Sequence, residues 1–406
     1  MDEDRTWDVL VVGCGPAGAV TGRELARRGF GVLILEEHRE VGRPVQCAGL
    51  VSRRPLEIVN APDAVLNSLD SAELISPGGK SITFGGKGER AVVIDRAAFD
   101  RAAACEAIDA GCRILLGSKV TGLRRLEAEK SSSDGSVELS LGAGHGHRSI
   151  KGRLVIGADG VQSAVARMVG IRPPSEILPG FEAEMAGVRC PDGTVRILVG
   201  RDVAPGFFAW LIPSGNGRGL IGLCCEPGDM PARLYFERLL RNPALAPYIG
   251  HARVLRYIAG GVPVSASSAS FGERVLLVGD AAGQVKPISG GGIYTGLRCA
   301  LMAAKTAARA LEEGDLSRRA LASYEKAWKK EIGGELGIGR RIRRSYIHVT
   351  DGQMDDLVVM LDRPKLLSLI SARGDIDTPS ELAKLLFRQA PGLLKFAGPF
   401  IKSLFK

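Results

Sequence analysis

The sequence predicts an α/β fold: a doubly wound, Rossmann-like parallel sheet, an antiparallel sheet inserted into it, and a helical C-terminal region. Three observations predict it. An apolar run at 7–12 breaks at Gly13, a small-residue helical stretch follows, and a second apolar run fills 30–35. That is the pattern of a βαβ unit of about 30 residues. Short strand-like runs alternating with turns occupy 180–265. The parallel pattern then returns at 274–278, ahead of a long Ala-rich helix.

Taken in order, the first strand leads into a helix over 16–28 closed by Gly29, and the second strand ends at Glu36. Residues 41–50 are loop-like, punctuated by Gly42, Pro44 and Gly49. A helix is expected over 95–111, then strands at 112–116 and 119–121. The segments 131–135 and 145–147 read as turns between strands, and strand 154–156 ends in Gly157-Ala158-Asp159-Gly160. Strand-like runs at 208–212 and 219–223 belong to the inserted sheet, and 315–406 reads as helical.

Composition narrows the class. The 406 residues are 45% apolar and 24% charged, which excludes collagen-like and disordered chains. The length suits two to three domains or one elaborated double domain. A net charge of +9 fits an anionic cofactor or lipid without selecting one. Aromatic residues make up only 5%, thin for stacking on exposed bases, so no nucleic-acid partner is expected. The eight cysteines contain no CxxC pair, so no metal site is expected and free thiols in the cytoplasm are the default. No targeting segment precedes the first strand, and the longest uncharged runs fall short of a spanning helix. Membrane contact is therefore expected to be peripheral, at the inner face.

Gly13-x-Gly15-x-x-Gly18 follows a strand, opens a helix, and has Glu36 18 residues beyond its last glycine. In that setting the first glycine permits the tight turn and the second lets the backbone approach a pyrophosphate. The third lets helix and strand pack closely. The helix N-terminus favours phosphate charge. Glu36 is placed to accept from a ribose 2′-OH and disfavours a 2′-phosphate. FAD rather than NAD follows from the far end of the chain, where 274–278 runs into Gly279-Asp280-Ala281-Ala282-Gly283 and Gly290-Gly291-Gly292 opens a helix. A second contact from a distant strand–loop–helix suits a long dinucleotide. Asp280 suits ribityl hydroxyls, and a helix N-terminus beside a flavin stabilises negative charge on the reduced ring.

Together with Gly157-Ala158-Asp159-Gly160-x-x-Ser163, these segments resemble the FAD-dependent hydroxylase-type superfamily. Within it, Gln46-Cys47-Ala48-Gly49 and Lys286-Pro287-x-Ser289-Gly290-Gly291-Gly292-Ile293 resemble the geranylgeranyl reductase family, in particular its archaeal digeranylgeranylglycerophospholipid reductases. Pro205-Gly206-Phe207-Phe208-Ala209-Trp210-Leu211-Ile212-Pro213 is similar to that family's substrate-cavity motif Pro-x-x-Tyr-x-Trp-x-Phe-Pro. Phe208 stands where the motif has Tyr and Ile212 where it has Phe, which removes a hydroxyl but keeps an apolar lining.

The resemblance implies a discontinuous FAD-binding domain over 1–180 and 266–315, with a flavin-loop segment at 41–110. An antiparallel isoprenoid domain at 181–265 and a helical region at 316–406 complete the chain. It implies FAD contacts at Ala17 beside Gly13, Gly15 and Gly18, at Glu36, at Cys47, Ala48 and Leu50 in the loop facing the ring, and at Arg101. Val120 would flank the adenine, Asp280 would hold the ribityl chain, and Gly292 with Ile293 would sit beside the pyrimidine end. Phe207, Phe208, Trp210 and Ile212 would line the substrate cavity; the same pattern also reads as an ordinary core strand. Cys47 is the candidate catalytic thiol, with an ordinary pKa of ~8.5 that makes it a modest proton donor.

The implied activity is flavin-dependent saturation of isolated C=C bonds of geranylgeranyl chains in archaeal ether phospholipid precursors. Alternatives are a reductase of geranylgeranyl diphosphate or chlorophyll-type side chains, a monooxygenase or halogenase on the same fold, and a non-catalytic isoprenoid carrier. NAD(P)H or a ferredoxin-like protein would supply electrons, since no second dinucleotide fingerprint occurs. The cluster Arg340-Arg341-Ile342-Arg343-Arg344 reads as a solvated helix face or a contact for lipid phosphates. The tail at 385–406 mixes large apolar residues with Lys and Arg and reads as an interfacial anchor or as a segment docked on the body.

Overall fold

The computed structural model describes residues 5–86, 88–126, 135–142, 148–228 and 230–395. The expected turns at 131–134 and 145–147 and the end of the tail, 396–406, lie outside the described residues.

The chain begins with β1 (Thr6–Val12), α1 (Pro16–Ala26), β2 (Val32–Leu35), β3 (Leu50–Val51) and α2 (Arg54–Ile58). Next come β4 (Val65–Leu69), β5 (Ser71–Ile75), β6 (Ser81–Gly85), β7 (Ala91–Ile94), α3 (Arg96–Asp109), β8 (Arg113–Leu115), β9 (Val120–Leu126), β10 (Ser136–Leu141), β11 (Ser149–Gly157) and α4 (Ala164–Met168). The middle holds β12 (Ile177–Ala186), β13 (Thr194–Leu198), β14 (Ala209–Gly215), β15 (Arg218–Cys224), α5 (Ala232–Leu239), α6 (Ala246–Ile249) and β16 (Arg253–Pro263). After β17 (Phe271–Gly272) and β18 (Val275–Leu277), the helices α7 (Ile293–Glu312), α8 (Arg318–Glu331), α9 (Gly333–Tyr346), α10 (Asp351–Leu361), α11 (Pro364–Arg373) and α12 (Pro379–Gln389) follow.

Among the described residues, one sheet runs β17–β18–β11–β1–β2–β8, with β10 and β9 added beside β11. Its central pairs, β18–β11, β11–β1, β1–β2 and β2–β8, are parallel. Alternation along β1 and β2 explains why Val9–Val12 and Val32–Leu35 are unbroken apolar runs. Val9, Val11, Val32 and Ile34 face a core shared with α1, α3 and α7, whereas Leu10, Val12, Leu33 and Leu35 face a second core under β10 and β11. A parallel sheet buried on both faces requires such continuous runs.

The second sheet has the order β16–β12–β15–β14–β13–β5–β6. It is antiparallel except where β13 meets β5. Strands β5 and β6, read from the sequence as part of the 41–110 segment, form its far edge, and β12 begins before 181. A hairpin's local pattern specifies its own register but not which sheet it joins, so pairing of Ser71 with Thr194 was not legible. One face of this sheet, with Ala183, Leu211 and Leu223, is covered by Phe236 and Leu239 of α5. The other, with Trp210, Ile212, Leu220 and Ile258, meets Ala48, Leu50 and Val93. A small third sheet, β3–β7–β4, carries that loop.

The helical region closes on both sheets. Ile82 of β6 packs with Val358, Leu366 and Ile370, and Leu382, Leu386 and Phe387 join them. The described part of the tail is thus docked on the body.

Candidate active site

The turn after β1 is dictated by close backbone contacts. Gly13 has φ +101°, and a side-chain carbon there would lie 2.4 Å from the Ala158 carbonyl oxygen. A Cβ on Gly18 would fall 2.1 Å from the Gly13 oxygen, so α1 starts directly against the strand end. Gly15, by contrast, has nothing within 4 Å of its Cβ direction, and it caps α1 without any side-chain acceptor for the first N–H groups. An open approach to unpartnered helix donors is the arrangement a pyrophosphate needs. Ala17 lies half-buried on the same turn.

Glu36 is fixed from both oxygens. Its Oε2 accepts from the Cys14 N–H at 2.8 Å, and its Oε1 accepts from the His38 N–H at 3.0 Å and meets His38 Nδ1 at 2.7 Å. The carboxylate is held beside the glycine loop, where a ribose hydroxyl would donate to it. Val120 is buried at the start of β9, and Arg101 sits at the rim of α3, 3.3 Å from Glu40.

At the other end, Asp280 sits in the 3₁₀ turn after β18, and Gly292 caps α7, again without a side-chain acceptor. A Cβ at Gly292 would lie 3.0 Å from Asp280 Oδ1, so the carboxylate sits directly beside the helix start, and Asp280, Gly292 and Ile293 are all half-buried. Burial pushes the Asp280 carboxyl up, and Arg96 draws it back. Arg96 is the functional candidate that sequence reasoning missed. It forks onto Asp100 at 3.1–3.2 Å and lies in electrostatic reach of both Cys47 and Asp280. Its signal was faint: an arginine one residue after a helix N-cap, among many arginines.

Cys47 is half-buried in the loop before β3, and its sulfur accepts from the Gly49 N–H at 3.4 Å. That loop rests on the second sheet, because a Cβ on Gly260 would lie 3.6 Å from Gln46 Cβ. The glycines before α7 rest on the same sheet, with the Gly290 Cβ direction 3.4 Å from both Phe207 Cζ and Val262 Cγ1. Phe207 and Phe208 stack at 4.3 Å, and Phe208 meets Trp210 edge-on at 6.0 Å. Trp210 and Ile212 share the sheet face that turns toward Ala48 and Leu50. The structure therefore brings the Cys47–Ala48 loop and the glycines before α7 onto the sheet that carries Trp210 and Ile212, with Phe207 against Gly290 and with Asp280 beside Gly292.

The basic cluster divides. Arg340, Arg341 and Arg344 are exposed, but Arg343 is buried. It donates to the Gly206 carbonyl oxygen, pairs with Glu226 at 3.3 Å and lies over the Phe207 ring. Tyr346 donates its hydroxyl proton to the Phe207 carbonyl at 2.6 Å. Helix α9 thus anchors the aromatic turn. A run of arginines in sequence cannot show which one turns inward.

A family model described as lycopene cyclase protein matches residues 8–345. Digeranylgeranylglycerophospholipid reductase 2 of Methanopyrus kandleri is 32% identical over 98% of this chain and 100% of its own length. The protein of that name from Methanocaldococcus jannaschii is 30% identical over 96% of this chain and 97% of its own. Among solved structures, a geranylgeranyl bacteriochlorophyll reductase-like protein from Thermoplasma acidophilum superposes with a TM-score of 0.83 at 25% identity, covering 96% of this chain and 98% of that one. The halogenase PltM in complex with FAD shares the fold at a TM-score of 0.67 and 18% identity, over 98% of this chain and 94% of its own. The glycine loop, the Glu36 carboxylate beside it and the start of α7 together fit FAD in the same fold. With relatives matched from end to end, the chain belongs to the digeranylgeranylglycerophospholipid reductase family.

Proposed function

We propose that this protein saturates isolated double bonds of geranylgeranyl chains on an archaeal ether phospholipid, using FAD. One observation carries the reading: both loops that flank the expected ring, 46–50 and 290–293, lie on one largely apolar sheet face, that of Trp210, against which Phe207 and Phe208 pack. Bound FAD, once reduced, supplies a hydride to one alkene carbon. The protein's own residues do the rest. An isolated alkene offers no carbonyl to polarise, so position and dryness have to be supplied by the aromatic wall that Arg343 and Tyr346 hold in place. Glu36 and the α1 donors hold the adenosine half, and Arg96, Asp280 and the α7 start surround the flavin half.

Dithionite-reduced protein, incubated under nitrogen with an unsaturated archaeal ether phospholipid, is expected to raise the lipid's mass in steps of two hydrogens. An unchanged lipid alongside reduced geranylgeranyl diphosphate would move the assignment to the diphosphate. A hydroxylated product formed only in air would move it to a monooxygenase. Glu36→Ala is expected to purify with less FAD; full flavin occupancy would show the ribose is held elsewhere.

No helix among the described residues is long and apolar enough to cross a membrane. We propose contact with the inner membrane face through the exposed Arg340, Arg341 and Arg344, and electron delivery by NAD(P)H or a ferredoxin-like protein. Pelleting with anionic vesicles that weakens as salt rises tests the first of these.

A further inference from the structure

Phe208 lacks the tyrosine hydroxyl of the family motif, and its edge-on neighbour Trp210 is hydrogen-bonded to a buried carboxyl, Glu182. Glu182, on β12, is 3% exposed and projects from the same sheet face as Trp210 and Cys224. Gly222, between them on β15, makes room: a Cβ there would lie 2.7 Å from Glu182 Cβ and 2.9 Å from Trp210 Cζ2. The Trp210 indole N–H donates to Glu182 Oε2 at 2.6 Å, while Oε1 has no partner among the described residues. An unpaired buried carboxylate oxygen is costly, and protonation relieves that cost. Since Oε2 is already an acceptor, the proton belongs on Oε1. Resting on the reductase reading above, we propose that Glu182 is the proton source for the second alkene carbon.

The surroundings suit that role. Burial pushes the Glu182 carboxyl up to about 7, with the Trp210 hydrogen bond and Arg256 pulling it down and Glu184 pushing it up. Arg256, from β16, is 2.7 Å from Glu184, and the Cys224 thiol lies in reach of both Glu182 and Cys47. Cys47 and Glu182 therefore lie on either side of the buried Cys224 thiol, within electrostatic range of it. In the step, the Glu182 O–H bond breaks as a C–H bond forms on one alkene carbon. The other carbon takes a hydride, so the alkene gains two electrons and the reduced flavin, a two-electron donor, is oxidised. The carboxylate left behind keeps the Trp210 N–H and the nearby Arg256. Arg256 also lines an open cleft of 480 Å³ with His38, Arg39, Arg43 and Tyr257, so solvent reaches Arg256 itself.

Glu182→Gln keeps the shape and the Trp210 acceptor but has no proton to give. Its anaerobic turnover on the ether lipid is expected to fall about 10²–10⁴-fold, with KM, FAD content and dithionite reduction of the flavin unchanged. Wild-type turnover should decline as pH rises through 7, the neutral acid being present below that value and lost above it. Infrared spectra of the oxidised holoenzyme should show a carboxylic-acid C=O band that shifts in D₂O, vanishes over the same pH range and is absent from Glu182→Gln. Should that variant fold poorly, Glu182→Asp is expected to keep the band and the flavin yet turn over slowly. Equal turnover by wild type and Glu182→Gln, or no such band, overturns the inference while leaving the reductase reading intact. A wild type that saturates no prenyl lipid sinks the reading itself and this inference with it.

Discussion

Lys286→Met is expected to lower the free energy of unfolding by about 3–5 kcal/mol, the usual effect of removing one partner from a buried ion pair. Lys286 Nζ donates to Asp377 Oδ1 at 2.8 Å and to the Ile376 carbonyl at 2.7 Å, and the two side chains are only 4% and 3% exposed. Without the ammonium, Asp377 keeps Arg54 at 2.9 Å and Ser52 at 2.5 Å on its other oxygen, which places the loss toward the lower end of that range. Urea unfolding checks it: the midpoint should fall with an unchanged slope. Adding Asp377→Leu should not recover the loss, because Ser52 and Arg54 then lose this acceptor as well. A single variant as stable as wild type would mean that Arg54 alone neutralises the site.

The second large effect separates two glycines of one motif. Gly18→Ala puts a carbon 2.1 Å from the Gly13 oxygen and 3.0 Å from Ala158 Cβ, so backbone has to shift. It is expected to destabilise even the flavin-free protein by about 1–3 kcal/mol, and to lose FAD as a consequence. Gly15→Ala meets no protein atom within 4 Å, and its backbone is extended at φ −69°. The flavin-free protein should therefore melt as wild type does, while FAD retention drops because the new methyl occupies the pyrophosphate's approach. Thermal melts of the stripped proteins and flavin absorbance of the purified ones check both halves. Equal melting of the two stripped variants would show that helix and strand do not need the close contact.

What the sequence made legible was local. The βαβ unit, the glycine loop and Glu36 lie within about 30 residues of one another, and their spacing alone carries the geometry. Asp280 and the Gly290–Gly292 helix start could be read from their strand–loop–helix setting, whereas Cys47 needed the family resemblance, because nothing in spacing says that its loop meets them. The remainder depended on pairing across the chain. Lys286 meets Asp377 across 91 residues, and Arg343 meets Gly206 across 137. Neither apolar periodicity nor charge pattern encodes such a partner. Glu182 left a faint trace: an acid at a position whose strand neighbours in register, Leu178 and Gly180, face inward. Nothing local marked Trp210 as its donor.

The short stretch 375–377 grips Arg54 and Ser52 on one side and Lys286 on the other. Those two anchor points flank the loops that meet around the expected isoalloxazine. The segment between α11 and α12 is therefore a clasp that ties the two loops together, and severing it should loosen both jaws rather than one.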